Sequence, residues 1–194
     1  ISCSLVGSEM CIRDSTRTAQ EIRSLVKRNK IQQEFTHLIQ SYNQEMSTKG
    51  LKTKTKVLYF QRVVPNSEVQ TEFNLSTSDS VFKLIRLRYV DNHPIVKVPT
   101  YVPVSLVPDL EKINFSTASL YLELKKRNLA VTHVVRKLEV KKASSEIAQK
   151  LAVKENDPVF YFRTCGYTDK DQKIEYSIAT YRGDMNSFII DLKR

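Results

Sequence analysis

From residue 57 the chain alternates with a period of two. Val57, Tyr59, Gln61 and Val63 interleave with Leu58, Phe60, Arg62 and Val64 in a run of β-branched and aromatic residues closed by Pro65, which predicts a strand. Upstream, Ile31, Phe35, Leu38, Ile39 and Tyr42 form the stripe of an amphipathic helix ending near Met46, with Gly50 as its stop. Residues 47–56, STKGLKTKTK, read as a linker, and Ile22, Leu25 and Val26 hold helical spacing within a polar, basic segment. Further on, the pattern predicts a short helix over Ser67–Phe73 and a hairpin of Val81–Val90 and Ile95–Val102 around the turn cluster Asp91-Asn92-His93-Pro94. A helix over Ser119–Lys126, a strand over Val131–Val140 and a short helix over Ile147–Leu151 capped by Ser144 follow. A second hairpin, Val159–Tyr167 with Lys173–Tyr181, turns through residues 168–172, and Phe188–Leu192 closes the sheet. Strands outnumber helices and pair with their chain neighbours, so the fold class is α+β with an antiparallel sheet.

Composition narrows the function classes. With 4 Gly in 194 residues there is no G-x-G-x-x-G and no P-loop, so dinucleotide-fold and P-loop readings are excluded. The longest uncharged central stretch, Val98–Pro108, carries three prolines and is too short to cross a bilayer, so a soluble chain without a membrane partner is expected. Net charge is +10, and residues 1–56 carry 10 basic and 5 acidic side chains against 21 and 16 in the remaining 138. A basic excess suits nucleic acid or anionic ligands, and equally a solvated Lys-rich surface. Three cysteines, with Cys165 in an apolar strand-like run, fit a cytoplasmic protein with a buried free thiol. His37, His93 and His133 lie far apart, so no metal site is expected, and nothing calls for a cofactor.

Residues 1–15, ISCSLVGSEMCIRDS, show neither period and hold two of the three cysteines. They resemble translated adapter sequence and are set aside as non-native, which makes the chain a fragment. Residues 16–30 form a basic segment of unassigned status, and a single ligand-binding domain is expected over 31–194.

Two constellations could bind a small molecule. Arg86 and Arg88 are two apart in a strand, so both guanidiniums emerge on one face while Ile85, Leu87 and Tyr89 take the other. Like charges so placed suit a phosphate or carboxylate between them, or else solvent on a wet sheet face. Glu175, Ser177, Ala179 and Tyr181 share a face of another strand and offer a carboxylate and hydroxyls to a polyol, or again to solvent. Arg182-Gly183-Asp184 reads as a turn with Gly183 at positive φ. No nucleophile elbow, no Cys–His pair and no carboxylate pair in apolar surroundings is present, so catalysis has no motif behind it.

The order of five strings resembles the UTRA domain, the effector-sensing half of GntR-type (HutC subfamily) bacterial transcription regulators. They are KIQQEFTHLIQSYNQEMSTKGLKTKTKVL, VFKLIRLRYVDNHPI, the YVP at Tyr101–Pro103, the SLY at Ser119–Tyr121, and EYSIATYRGD at Glu175–Asp184. The resemblance implies a chorismate-lyase-like α+β domain with a central antiparallel sheet and flanking helices, forming a homodimer and binding a small anionic effector such as a sugar phosphate. It places Arg86 and Arg88 on the anionic group, with Ser119, Tyr121, Glu175 and Tyr181 around the ligand and Ser41 and Tyr42 contributing from the entry segment. Full-length relatives contact operator DNA through an N-terminal winged helix-turn-helix, which is expected to be missing here. A chorismate-lyase-like enzyme and a stand-alone small-molecule-binding module are the alternatives on the same fold; the strings favour the regulator, not an enzyme.

Overall fold

The computed structural model describes residues 30–34 and 42–190. Its centre is a six-stranded sheet built from β2 (Thr53–Val63), β3 (Val81–Val90), β4 (His93–Pro103), β5 (His133–Lys142), β6 (Pro158–Tyr167) and β7 (Lys173–Arg182). Spatial order is β2-β3-β4-β7-β6-β5, and every neighbouring pair is antiparallel. β1 (Ile31–Glu34) and β8 (Asn186–Ile189) form a separate two-stranded parallel ladder. Four seven-residue helices flank the strands: α1 (Tyr42–Thr48), α2 (Ser67–Phe73), α3 (Leu120–Lys126) and α4 (Ser145–Leu151). None is long and apolar enough to cross a membrane. Helices this short have little stability of their own, so capping and packing must hold them. Asn66, Ser119 and Ser144 each accept a hydrogen bond from the backbone N–H three residues on.

The strand period decides which side each residue faces. Phe82, Leu84 and Val102 project from β3 and β4 into a core closed by α3, through Leu120 and Leu124, and by a 3-10 turn at Leu110–Lys112. On the reverse face, Val69 of α2 packs on Val81, Tyr101 and Tyr176, and the Tyr176 hydroxyl donates to Glu68. There α4 covers Val159 and supplies Glu146 to the buried Lys97. The β3–β4 turn has Asp91 at φ 46° and Asn92 at φ 67°, the two left-handed residues of a type I′ hairpin.

Several expectations are corrected. The segment from Ile31 opens as a strand, because Ile31 and Gln33 turn inward while Gln32 stays in solvent. The buried Gln33 amide donates to Asn186 Oδ1 at 3.0 Å, and Asn186 donates to the Arg182 carbonyl at 2.8 Å. Only Tyr42–Thr48 is helical, closed by Gly50 at φ 68°; Phe35, Leu38 and Ile39 lie outside the described residues. The expected linker is shorter, since β2 starts at Thr53 with Lys54 and Lys56 in solvent. The last strand begins at Asn186 and joins β1, not the central sheet. Gly183 is not at positive φ; an added Cβ would come within 2.4 Å of the Pro158 carbonyl oxygen, so close approach explains the glycine. Cys165 is half-buried, not core: its thiol faces Glu72 on the reverse side of the sheet.

Asn186→Ala removes the acceptor of a buried amide. Chemical denaturation should show a loss of about 1–3 kcal/mol, and the same change at exposed Gln32 close to none.

Candidate functional site

Arg86 and Arg88 project from β3 into one cavity of about 120 Å³, floored by β4, β7 and β6 and roofed by the N-terminus of α3. This volume holds several waters or part of a small metabolite. Register explains the convergence. Arg86 lies beside Val98, Ala179 beside Phe162, and Thr164 links Arg136 of β5 to Ser177 of β7. The same-face positions of five strands therefore line one concavity.

Both arginines are largely out of water, with Arg86 only 6% exposed. Arg86 donates from Nη2 to Thr100 Oγ1 at 3.4 Å, a long contact, while the Nε atoms of Arg86 and Arg88 are buried with no hydrogen-bond partner. An unpartnered buried donor costs about 1–3 kcal/mol, more when charged. Burial, then the charge of Arg88, pulls Arg86 down to about 9, with Glu175 and Tyr121 acting the other way; it is still a cation at neutral pH. Burial also lowers Arg88, against the pull of Tyr42 and Tyr181. The Arg88 guanidinium lies 4.5 Å from the centre of the Tyr42 ring, which brings α1 onto the cavity.

Opposite them sits Glu175, 3% exposed, whose Oε2 accepts from the Tyr121 hydroxyl at 3.0 Å. Burial raises the Glu175 carboxyl above its ordinary value, against hydrogen bonds from Ser177 and Tyr121 and the charges of Arg86 and Arg136. Burial and the Glu175 charge push the Tyr121 phenol well up, so it remains a donor. Gly166 lies directly across from Glu175, and a Cβ there would meet Glu175 Oε2 at 3.0 Å and Val131 at 3.2 Å. Tyr181 completes that wall through edge-to-face contacts with Phe162 and Phe188.

Of the residues expected at the site, Arg86, Arg88, Ser119, Tyr121, Glu175, Tyr181 and Tyr42 all line this cavity, and the wet-face alternatives for both strands are excluded by burial. Ser119 also caps α3, where its Oγ accepts from Leu122 N. Ser41 lies outside the described residues. Arg136 lines the cavity and sequence reasoning missed it: its strand neighbours Lys137, Lys141 and Lys142 mask it among surface cations, and only the strand order brings it round. With Glu175 ionised, the lining carries three cations against one anion. Among the described residues no cluster of His, Cys, Asp or Glu could hold a metal ion. The arrangement can hold a ligand with an anionic end at Arg86 and Arg88 and hydroxyls facing Glu175, Tyr121 and Ser177.

Because Glu175 holds its proton more tightly when folded, the unfolded chain ionises first as pH rises. This residue therefore lowers stability progressively from about pH 4.5 up to its raised value. Paired carboxylates such as Glu72 and Glu139 act with the opposite sign. The stability difference between Glu175→Gln and wild type, measured by urea unfolding without ligand, should grow in the variant's favour over that window and vanish below it.

Residues 48–186 match the UTRA domain. Relatives include the HTH-type transcriptional regulator GmuR of Bacillus subtilis, 29% identical over 70% of this chain and 57% of that protein. The HTH-type transcriptional repressor NagR of the same organism is 22% identical over 86% of this chain and 68% of its own length. The chain thus spans about three fifths of the length of the regulators it matches. The crystal structure of the effector domain of PhnF from Mycobacterium smegmatis superposes with a TM-score of 0.78 at 22% identity, covering 84% of this chain and all of that one. A matched span that includes the central sheet, three of the helices and both arginines establishes that the chain belongs to the UTRA domain family.

Proposed function

We propose that this chain is the effector-sensing and dimerising domain of a bacterial GntR-type (HutC subfamily) transcription regulator, and that its effector is a small anionic metabolite, with a sugar phosphate the favoured class. The observation that carries this reading is the pair of buried Nε donors on Arg86 and Arg88, which a phosphate oxygen would satisfy. The hydroxyl-facing wall of Glu175, Tyr121 and Ser177 suits a sugar ring. Among the relatives, one is named as the mannosyl-D-glycerate transport/metabolism system repressor MngR of Escherichia coli and another as a probable fructoselysine utilization operon repressor. Action on operator DNA places the protein in the cytoplasm and gives DNA contact to a winged helix-turn-helix joined to this domain.

Regulation follows from linkage. An effector that binds one arrangement of the dimer better than another shifts the spacing of the attached DNA-binding heads, and operator affinity changes by no more than that differential affinity. Dimeric operators demand half-sites at fixed separation, so a small rotation is enough. Tyr42, stacked on Arg88 and carried by the first described helix, is the route from the anion to the N-terminal side.

Thermal unfolding against a panel of phosphosugars, free sugars and carboxylates tests the site. A ligand at 100 times its dissociation constant adds about 2.7 kcal/mol of stability. A phosphosugar should produce such a shift in wild type and none in Arg86→Ala/Arg88→Ala, whose unliganded fold survives because only unpaired charge has been removed. A wild type that no anion stabilises would sink the assignment.

A further inference from the structure

The two edges of the central sheet differ. β2 ends the sheet on one side, and its exposed positions are Lys54, Lys56, Gln61 and Arg62, polar groups that discourage pairing with another strand. β5 ends it on the other with ten residues and β6 as its sole ladder partner, and exposes Val135 (52%), Leu138 (42%) and Val140 (66%). No helix among the described residues packs on it extensively. A long edge with apolar side chains on both faces and outward backbone groups is a template for an added strand.

We infer that this edge pairs with β5 of a second copy of the chain, antiparallel about a two-fold axis through Leu138. The inference rests on the dimeric reading above and says where that dimer is joined. The register is fixed by charge. A two-fold axis perpendicular to the sheet keeps like faces together, so it sets same-parity residues opposite one another. With Leu138 opposite itself, residues 134–142 overlap and each Lys137 faces the other copy's Glu139, twice across the seam. Moving the axis by one residue sets Lys137 against Lys137, or Glu139 against Glu139. Glu139 accepts from Arg163 at 2.6 Å and keeps acceptor capacity for a second cation. Two six-stranded sheets then become one of twelve strands. Arg136, a wall of the cavity, lies on the seam opposite Val140 of the second copy, so each effector site borders the interface.

Light scattering with size-exclusion chromatography across a concentration series, on the full 194-residue chain, reads the seam. Wild type should be dimeric, Lys137→Glu monomeric because it sets glutamate against glutamate, and Lys137→Glu/Glu139→Lys dimeric again. Leu138→Cys, with its thiol on the axis, should form a disulfide-linked dimer under mild oxidation that wild type, with its own cysteines, and Val135→Cys do not. A wild type that stays monomeric throughout, or a dimer indifferent to Lys137→Glu with no crosslink at 138, would overturn the inference. Thermal stabilisation by inorganic phosphate, followed in wild type and Lys137→Glu, keeps the two readings apart. Its absence counts against the anion site, while the oligomer data alone decide the seam.

Discussion

Two guanidiniums on alternate residues of one strand, turned to the same side and taken out of water, repel each other and lose hydration that no protein group fully replaces. Arg86 and Arg88 stand in that condition, and the surrounding structure is arranged about it. β3 is central enough to bury them, flanked by β2 and β4, and β7 brings Glu175 to the opposite wall as counter-charge. Glu175 is itself held by Tyr121 from α3 and by Ser177, and it fits only because Gly166 presents no side chain beneath it. A single buried carboxylate offsets part of the charge. The remainder is what gives the cavity its preference for an anion, since a ligand phosphate replaces the hydration that folding removed.

The same pair organises the N-terminal side of the domain. Tyr42 stacks on Arg88, and α1 carries Met46 into a small core with Ile31, Val90 and Ile95. β1 is tied to β8 by the Gln33–Asn186 amide contact, and the Lys49 ammonium donates to the Gln32 carbonyl. Chain start, chain end and cavity are thus joined through a few polar contacts with no deep core of their own. Such regions open more readily than the central sheet, which suits a segment that must report on occupancy.

Much of the fold was legible because most strands pair with a chain neighbour. The hairpins β3–β4 and β6–β7 could be read from period two, turn chemistry and a proline-bounded run, and α2 and α4 from their caps. The residues from Ile31 misled because four apolar positions at helical spacing include three outside the described segment, while the decisive residue, Gln33, is polar. Its burial depends on Asn186, 153 positions away, and no local pattern announces such a partner. β8 misled for the same reason, as its partner β1 comes from the opposite end of the chain.

The sequence by itself determined the strand faces. Arg86 and Arg88 share a side, as do Glu175, Ser177 and Tyr181, because a strand turns alternate side chains to opposite faces. It also determined, through five strings in order, the resemblance that collected Ser119, Tyr121 and Tyr42 with them. Only the tertiary structure decided that those faces meet, that burial and not solvent surrounds the arginines, and that Arg136 joins them from the far edge. Sheet order and curvature are properties of non-local pairing: β4 neighbours β7 across some eighty residues of chain, and which strand becomes an edge depends on that pairing.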